Sequence, residues 1–191
     1  MGEAAYKEEP WIELIDGKVF MMSPRPRPMH TDIAGNIYHL FQTYLWDKPC
    51  KVYNDGVDVY LDEKNHFIPD VMIICNKDII HWNAVYGAPD LVVEVLSPRT
   101  EQNDRGKKMR AYARAGVKEY WLVSPLARSV EVYLLQDGTF VLDAVYHDIP
   151  DWESERMAPE DKAEIRTEIK VSLYDDLIIH VRDVFHKIDY Q

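Results

Sequence analysis

The sequence predicts a single α/β (α+β) domain with a mixed β-sheet core flanked by helices and preceded by an N-terminal β-hairpin. Two nearly continuous apolar runs, 67–75 and 90–96, are typical of central strands. Apolar residues recur at helical spacing over 30–46 and 101–115. The chain has 191 residues, of which 47% are hydrophobic, and this is enough to bury one core.

In the N-terminal half, the predicted hairpin covers 11–21, because Asp16-Gly17 supplies a tight turn between β-prone residues. Prolines at alternate positions then predict an extended connector over 23–29. The helix 30–46 follows, with its apolar positions on one face. Val57 to Leu61 alternates as a half-buried strand does and precedes the two apolar runs.

In the C-terminal half, Gly116 stands where a helix commonly ends in a left-handed residue, so the helix 101–115 is expected to stop there. The remaining predicted segments are strand 119–123, hairpin 130–146, an acidic surface loop over 147–167, edge strand 169–173 and closing helix 174–188. We expect one domain over 1–191 with its core at about 12–146.

The charge of the chain restricts the classes of partner that it can bind. The net charge is −11, which argues against a large nucleic-acid interface, since such interfaces are basic. The charge is segregated: residues 99–118 hold seven basic and two acidic residues, a net of +5. That segment is either a solvated helix face or a binding surface for an anion.

The sequence has no apolar run long enough to span a membrane, and its first residues do not form a signal peptide, so a cytoplasmic protein is expected. Two cysteines are too few for a disulfide framework or a zinc site. Cys75 ends an apolar run and is expected to be a buried thiol.

Acidic residues interrupt both central apolar runs. Asp70 lies in the first run, and Asp90 and Glu94 lie in the second. A buried carboxylate needs a cation, a metal ion or a cavity, because burying it alone costs several kcal/mol. For Asp70 and Asp90 the alternative is a hydrogen bond to backbone amides at a strand entrance. For Glu94 it is a buried salt bridge.

Strand geometry indicates which of these acids can meet. Asp90 and Glu94 are four residues apart on one strand, about 13 Å, so they cannot share one metal ion. A partner for Glu94 must come from a neighbouring strand about 5 Å away, and Asp70 is the natural candidate. Lys108 can join them if the helix 101–115 folds back over the sheet. The alternative for Lys108 is a solvated lysine beside Lys107.

The sequence resembles the Uma-two family of restriction endonucleases, which belongs to the PD-(D/E)XK nuclease superfamily. The resemblance runs from Ile12 to about Val145. The segments that carry it are Met21-Met-Ser-Pro, His30, Ile68-Pro-Asp-Val, Pro89-Asp-Leu-Val-Val-Glu-Val-Leu-Ser-Pro, Asp104-Arg-Gly-Lys-Lys, Tyr112-Ala-Arg-Ala-Gly-Val and Glu119-Tyr-Trp-Leu-Val. Each segment alone is a weak signal, and their order and spacing together are specific.

The resemblance implies a restriction-endonuclease-like fold and metal-dependent hydrolysis of DNA. Asp70 and Glu94 match the acids that hold Mg²⁺ or Mn²⁺, together with the carbonyl of Val95, and Lys108 matches a catalytic lysine that has moved to the following helix. The sequence departs from the superfamily at Leu96, where the lysine usually stands. Whether Lys107 or Lys108 acts is left open.

The helix 30–46 also lacks the glutamate that many superfamily members use as a further ligand. His30, Asp32 or Gln42 could replace it. Further expected residues are the site-lining His30, Asp90, Asp104 and Tyr112 and the phosphate contacts Arg105 and Arg110.

We also expect a homo-oligomer, in the simplest case a dimer, because several aromatic residues are expected at the surface: Trp46, Trp82, Tyr86 and Trp152. The alternative to a nuclease is an inactive module that keeps the fold for binding or assembly. The net charge and Leu96 favour that alternative.

Overall fold

A computed structural model describes residues 11–21 and 26–188. Thirteen strands lie in these residues, and we number them in chain order. They are β1 Ile12–Ile15, β2 Lys18–Met21, β3 Lys51–Asn54, β4 Val59–Asp62, β5 Asn65–Phe67, β6 Val71–Ile74, β7 Val85–Tyr86, β8 Leu91–Val95, β9 Glu119–Ser124, β10 Ser129–Gln136, β11 Thr139–His147, β12 Glu168–Lys170 and β13 Ile178–His180.

The strands form three sheets. The largest has six strands in the order β11-β10-β9-β8-β6-β3, and only its β8–β9 pair is parallel. The second has five strands in the order β2-β1-β5-β4-β7 and includes the N-terminal hairpin. β12 and β13 form a small ladder of their own. The predicted mixed sheet and N-terminal hairpin are therefore confirmed.

Helices cover both faces of the six-stranded sheet. Helix α1, Pro28–Leu45, packs on the face that carries Val71, Ile73 and Val93. Residues 101–115 form a second helix, α2, which packs with the five-stranded sheet against the face that carries Met72 and Val92. Because side chains alternate along a strand, Glu94 shares this second face with Val92.

Helix α2 contains a π-helical turn. It begins with the α-helical turn Glu101–Asn103, continues through the π-turn Asp104–Lys108, and ends in the α-helix Met109–Ala115. Gly116 follows with φ 94°, as expected for a C-terminal glycine. π-turns inside helices are rare and are frequent at functional sites. Here the turn begins at Asp104 and ends at Lys108, both of which are buried.

Several predicted boundaries were wrong. The run 67–75 is not one strand, because Pro69-Asp70 separates β5 from β6, and these belong to different sheets. Strands β3 and β7 were not predicted. The region 147–167 contains two short helices, α3 Asp151–Ser154 and α4 Pro159–Glu164.

The region 174–188 is not a single helix. It holds β13 and the short helix α5, Val181–Val184. The predicted connector 23–29 falls partly outside the described residues, and α1 already includes its last two residues.

Cys75 is not a free thiol, since it forms a disulfide with Cys50. The two residues stand opposite each other because β3 and β6 pair antiparallel with Lys51 against Ile74.

The four aromatic residues expected at the surface, Trp46, Trp82, Tyr86 and Trp152, are all exposed. A dimer formed through them stays a prediction. None of the helices described is both long enough and apolar enough to cross a membrane.

Arg105 links α2 to the six-stranded sheet. Its two terminal nitrogens donate to the two carboxylate oxygens of Glu131 on β10, at 2.8 and 2.7 Å, and its Nε donates to Glu101. The hydrogen bonds from Arg105 hold the pKa of the Glu131 carboxyl below its usual range. The arginine is partly exposed, so solvent weakens the pair.

We therefore expect Glu131→Gln to lower the free energy of unfolding by about 1 kcal/mol at neutral pH. Because the pKa of Glu131 is depressed in the folded state, this contribution is present above the unfolded value of about 4.3 and is lost as the pH falls through the lower folded value. Denaturant titrations of wild type and variant at several pH values measure it. A difference that persists unchanged in strong acid, or a similar loss in the exposed control Glu63→Gln, would contradict this account.

Candidate functional site

Glu94 and Lys108 form the centre of a buried charged cluster. Lys108 Nζ lies 2.8 Å from Glu94 Oε1, and the two side chains are 4% and 5% exposed. Helix α2 therefore folds back over the sheet as expected, and it brings the lysine level with the middle of β8. Tyr112, one turn further along α2, donates its hydroxyl to the same Glu94 oxygen at 2.9 Å.

Two more carboxylates surround the same ammonium group. Glu13, on the inward face of β1, places Oε1 2.9 Å from Lys108 Nζ and also accepts the backbone N–H of Ile68. Asp104 Oδ1 lies 3.4 Å from Lys108 Nζ, but the geometry makes no hydrogen bond, and this buried oxygen has no hydrogen-bond partner among the described residues. One ammonium thus faces three carboxylates.

Burial and the neighbouring charges together shift the pKa values of the cluster. Burial raises the pKa of Glu94 well above its usual range, and Lys108 offsets only part of that increase. Burial likewise raises the pKa of Asp104. Burial alone would lower the pKa of Lys108, but the charges of Glu13, Glu94 and Asp104 outweigh it and raise that pKa well above its usual value. The lysine is therefore charged, and the cluster has an excess of acid.

Asp70 stands beside this cluster at the end of the sheet. The β6–β8 register pairs Val71 with Val93, and its continuation sets Asp70 opposite Glu94. Asp70 Oδ2 accepts the backbone N–H of Val95 at 2.6 Å and lies 3.2 Å from His30 Nε2. Asp70 is therefore the cross-strand neighbour of Glu94 that the strand geometry called for.

His30 and Asp55 extend the site toward solvent. Burial alone would lower the pKa of His30, but the hydrogen bond and charge of Asp70 outweigh it and raise that pKa. The Val95 backbone makes a smaller contribution that also raises the pKa of His30. Burial and then the charge of Asp70 raise the pKa of Asp55, whose backbone N–H donates to the Asp70 carbonyl at 3.0 Å.

The donors present suit a small hard cation. Asp70 and Glu94 bring carboxylate oxygens to one end of the sheet, and Asp104 Oδ1 nearby is buried without a hydrogen-bond partner among the described residues. The described residues contain no ready group of three or more His, Cys, Asp and Glu side chains that could hold a metal ion. Mg²⁺ does not require one, because it commonly binds one or two carboxylates and keeps several waters.

Two of the predicted site residues lie elsewhere or are bound by other side chains, and a third is exposed. Asp90 lies at the opposite end of β8 from the cluster, where it accepts the backbone N–H of Cys75 and pairs with Lys118. It has the backbone-binding role that was the alternative for it. Arg105 is bonded to Glu101 and Glu131, which disfavours a phosphate contact. Arg110 is exposed on α2, and its role stays a prediction.

Lys107 and Lys108 differ in their surroundings. Lys107 Nζ lies over the ring of Phe20 on β2, 5.5 Å from its centroid, while Lys108 Nζ lies in the carboxylate cluster. Leu96, at the usual lysine position, has a buried apolar side chain. Of these three residues, Lys108 lies in the carboxylate cluster. Its catalytic role stays a prediction.

The sequence reasoning missed Glu13 and Asp55. A signal for Glu13 was present, because it takes an inward position in the apolar strand Ile12-Glu13-Leu14-Ile15, as Glu94 does in β8. Asp55 follows β3, a strand of four residues with a weak pattern, and nothing in the sequence pairs that strand with β6.

Comparisons with known proteins give the family of the chain. The family model Uma2, described as putative restriction endonuclease, matches residues 3–166. An uncharacterized protein, slr1290, of Synechocystis sp. (strain ATCC 27184 / PCC 6803 / Kazusa) is 32% identical over 127 residues, which are 65% of this chain and 66% of that protein. The alignment thus spans just under two thirds of the relative's length.

A solved structure has a similar fold. It is a crystal structure of a putative nuclease belonging to DUF820 from Anabaena variabilis ATCC 29413. The TM-score is 0.65 at 19% identity, over 93% of this chain and 91% of the other. At this identity the likeness concerns the fold.

The cluster predicts different outcomes for neighbouring lysines. Lys108→Met would leave three buried carboxylates without their cation, and we expect it to lower the free energy of unfolding by about 3–5 kcal/mol. Lys107→Met should change it by no more than about 0.5 kcal/mol, because that lysine is not buried. Urea titrations at neutral pH compare the two. Equal losses in both variants would show that the ion cluster does not stabilise the fold.

Proposed function

Because the chain belongs to the Uma2 restriction-endonuclease-like family, we propose that it is a metal-dependent nuclease that hydrolyses phosphodiester bonds in DNA. The proposed ligands of Mg²⁺, or of Mn²⁺, are Asp70, Glu94 and the Val95 carbonyl. Lys108 is the proposed catalytic lysine. The observation that carries the proposal is the 2.8 Å contact between Lys108 and Glu94 in a cluster whose acids outnumber its bases.

The arrangement resembles an active site more than a simple ion pair. A single ion pair has one acid for one base, whereas Lys108 faces Glu13, Glu94 and Asp104. Unpaired buried charge is costly, so a fold under selection for stability alone would remove it. A divalent cation beside Glu94 would balance this charge.

Each residue has a chemical task in this proposal. Mg²⁺, when bound, neutralises phosphate charge and lowers the pKa of a bound water. The carboxylates of Asp70 and Glu94 fix its position. Lys108 donates hydrogen bonds from a fixed ammonium group, and it thereby orients the attacking water or stabilises negative charge that develops on the phosphate. Glu13 holds the lysine in place.

This mechanism requires that a phosphate group can reach the buried residues from solvent. The side chains of Glu94 and Lys108 are nearly inaccessible, whereas those of His30 and Asp70 are 22% and 14% exposed. A scissile phosphate would therefore approach from the side of His30 and Asp70. The near-complete burial of Lys108 is also the observation that favours the second candidate function, an inactive nuclease-fold module for binding or assembly.

Cleavage assays test the catalytic residues. In the presence of Mg²⁺ we expect Asp70→Asn, Glu94→Gln and Lys108→Met each to reduce cleavage of DNA by at least about 100-fold, the scale of losing a catalytic acid, base or charge-stabilising group. Lys107→Met is the matched control and should retain activity. Circular dichroism and thermal melting check that each variant is folded. Wild-type cleavage that survives in folded Asp70→Asn and Glu94→Gln would contradict the assignment.

Thermal melting tests the metal site without requiring activity. A ligand that binds only the folded state raises its stability, so millimolar Mg²⁺ or Mn²⁺ should raise the melting temperature of the wild type. The increase should disappear in Glu94→Gln and persist in Glu101→Gln, whose carboxylate lies on the exposed side of α2. If neither ion shifts the wild type, with or without DNA present, the inactive module becomes the better description.

A further inference from the structure

An exposed tryptophan stands beside the proposed site. Trp11 immediately precedes β1, and its side chain is half exposed. Alternate residues of an extended chain point to the same face, so Trp11, Glu13 and Ile15 share one face of this segment. Their exposures fall from 52% to 6% to 0%. This face of the segment therefore changes from exposed at Trp11, through the carboxylate cluster at Glu13, to the buried core at Ile15.

A second contact ties the indole to the site. Gly56 has no side chain, and a Cβ placed there would lie 3.6 Å from Cη2 of Trp11, so the ring packs over this glycine. Gly56 follows Asp55, whose backbone N–H is bonded to Asp70 and whose carboxyl is influenced by Asp70 and His30. Trp11 thus packs beside the residue that follows Asp55, and Asp55 adjoins Asp70, which is partly exposed together with His30.

From this placement we propose that Trp11 is a stacking platform for an unpaired base of the substrate, next to the phosphate that is cleaved. This inference rests on the proposed nuclease function and specifies its substrate as single-stranded or locally unpaired DNA. An indole ring can stack on any base, because every base has a flat aromatic face.

The charge of the protein favours the same substrate. Duplex DNA presents about one phosphate charge per 1.7 Å of its axis, and a single strand presents about half that density. A chain of net charge −11 repels the duplex more strongly. In a duplex, moreover, both faces of each base are covered by neighbouring bases, so an indole can reach a base face only where the stack is open.

Binding of a short fluorescently labelled single strand tests the proposal. It is measured by anisotropy in EDTA, where a metal-dependent enzyme does not cleave, and is repeated with the duplex of the same sequence. We expect Trp11→Ala to weaken single-strand binding by about 10-fold, the loss of one base stack, and to leave duplex binding unchanged. Trp11→Phe should restore most of the affinity, since a phenyl ring also stacks.

The matched control is Trp152→Ala, which removes a similarly exposed tryptophan from α3. It should bind both DNA forms as the wild type does. Tryptophan fluorescence supplies a second readout: the single strand should quench the wild type and Trp152→Ala, and should quench Trp11→Phe much less. Melting temperatures check that all variants are folded.

The outcomes separate this inference from the proposed function. If the wild type cleaves DNA with Mg²⁺ but folded Trp11→Ala binds the single strand as the wild type does, stacking is wrong and the nuclease function stands. Equal losses for single strand and duplex would also overturn the choice of substrate. If the wild type neither binds nor cleaves either DNA form, the proposed function fails and the inference fails with it.

Discussion

The contact between the Lys108 ammonium and the Glu94 carboxylate determines how the central layers of this protein fit together. Glu94 belongs to the six-stranded sheet, Lys108 to helix α2, and Glu13 to the five-stranded sheet. Their charges meet where these three layers pack, in a place otherwise filled by apolar side chains. The Lys108 ammonium is tolerated there only because Glu13 and Glu94 lie within 3 Å of it, so the layers must keep their relative positions.

The π-turn in α2 is part of the same constraint. Residues four apart on an α-helix are rotated by about 40° from one another, and a π-turn changes that rotation because its hydrogen bonds span five residues. The turn begins at Asp104 and ends at Lys108, and both side chains are buried in the cluster. The irregular backbone therefore aims two charged side chains at one place, which is a reason for a helix to contain a turn that is otherwise rare.

Much of this arrangement followed from local sequence patterns. Glu94 was identifiable because a carboxylate in the middle of an apolar strand must have a partner, and Lys108 because a short loop returns α2 over the sheet. Glu13 and Asp55 were not identified, since their relation to the site depends on how the two larger sheets pack and on the pairing of β3 with β6. Those are long-range contacts, and neither residue type nor spacing encodes them locally. The same limit explains why the disulfide between Cys50 and Cys75 was missed.

The division of the run 67–75 into two strands shows how a local irregularity can position a site. Proline cannot donate to a sheet ladder, and at position 69 it ends one strand before the next begins. Asp70 is left at the point where the chain passes from the five-stranded to the six-stranded sheet. It is thus freed from strand pairing, while the register still sets it opposite Glu94. A continuous strand would have kept Asp70 within one ladder, whereas the break gives it access both to solvent and to the buried cluster, and the proposed role of Asp70 as a metal ligand needs both.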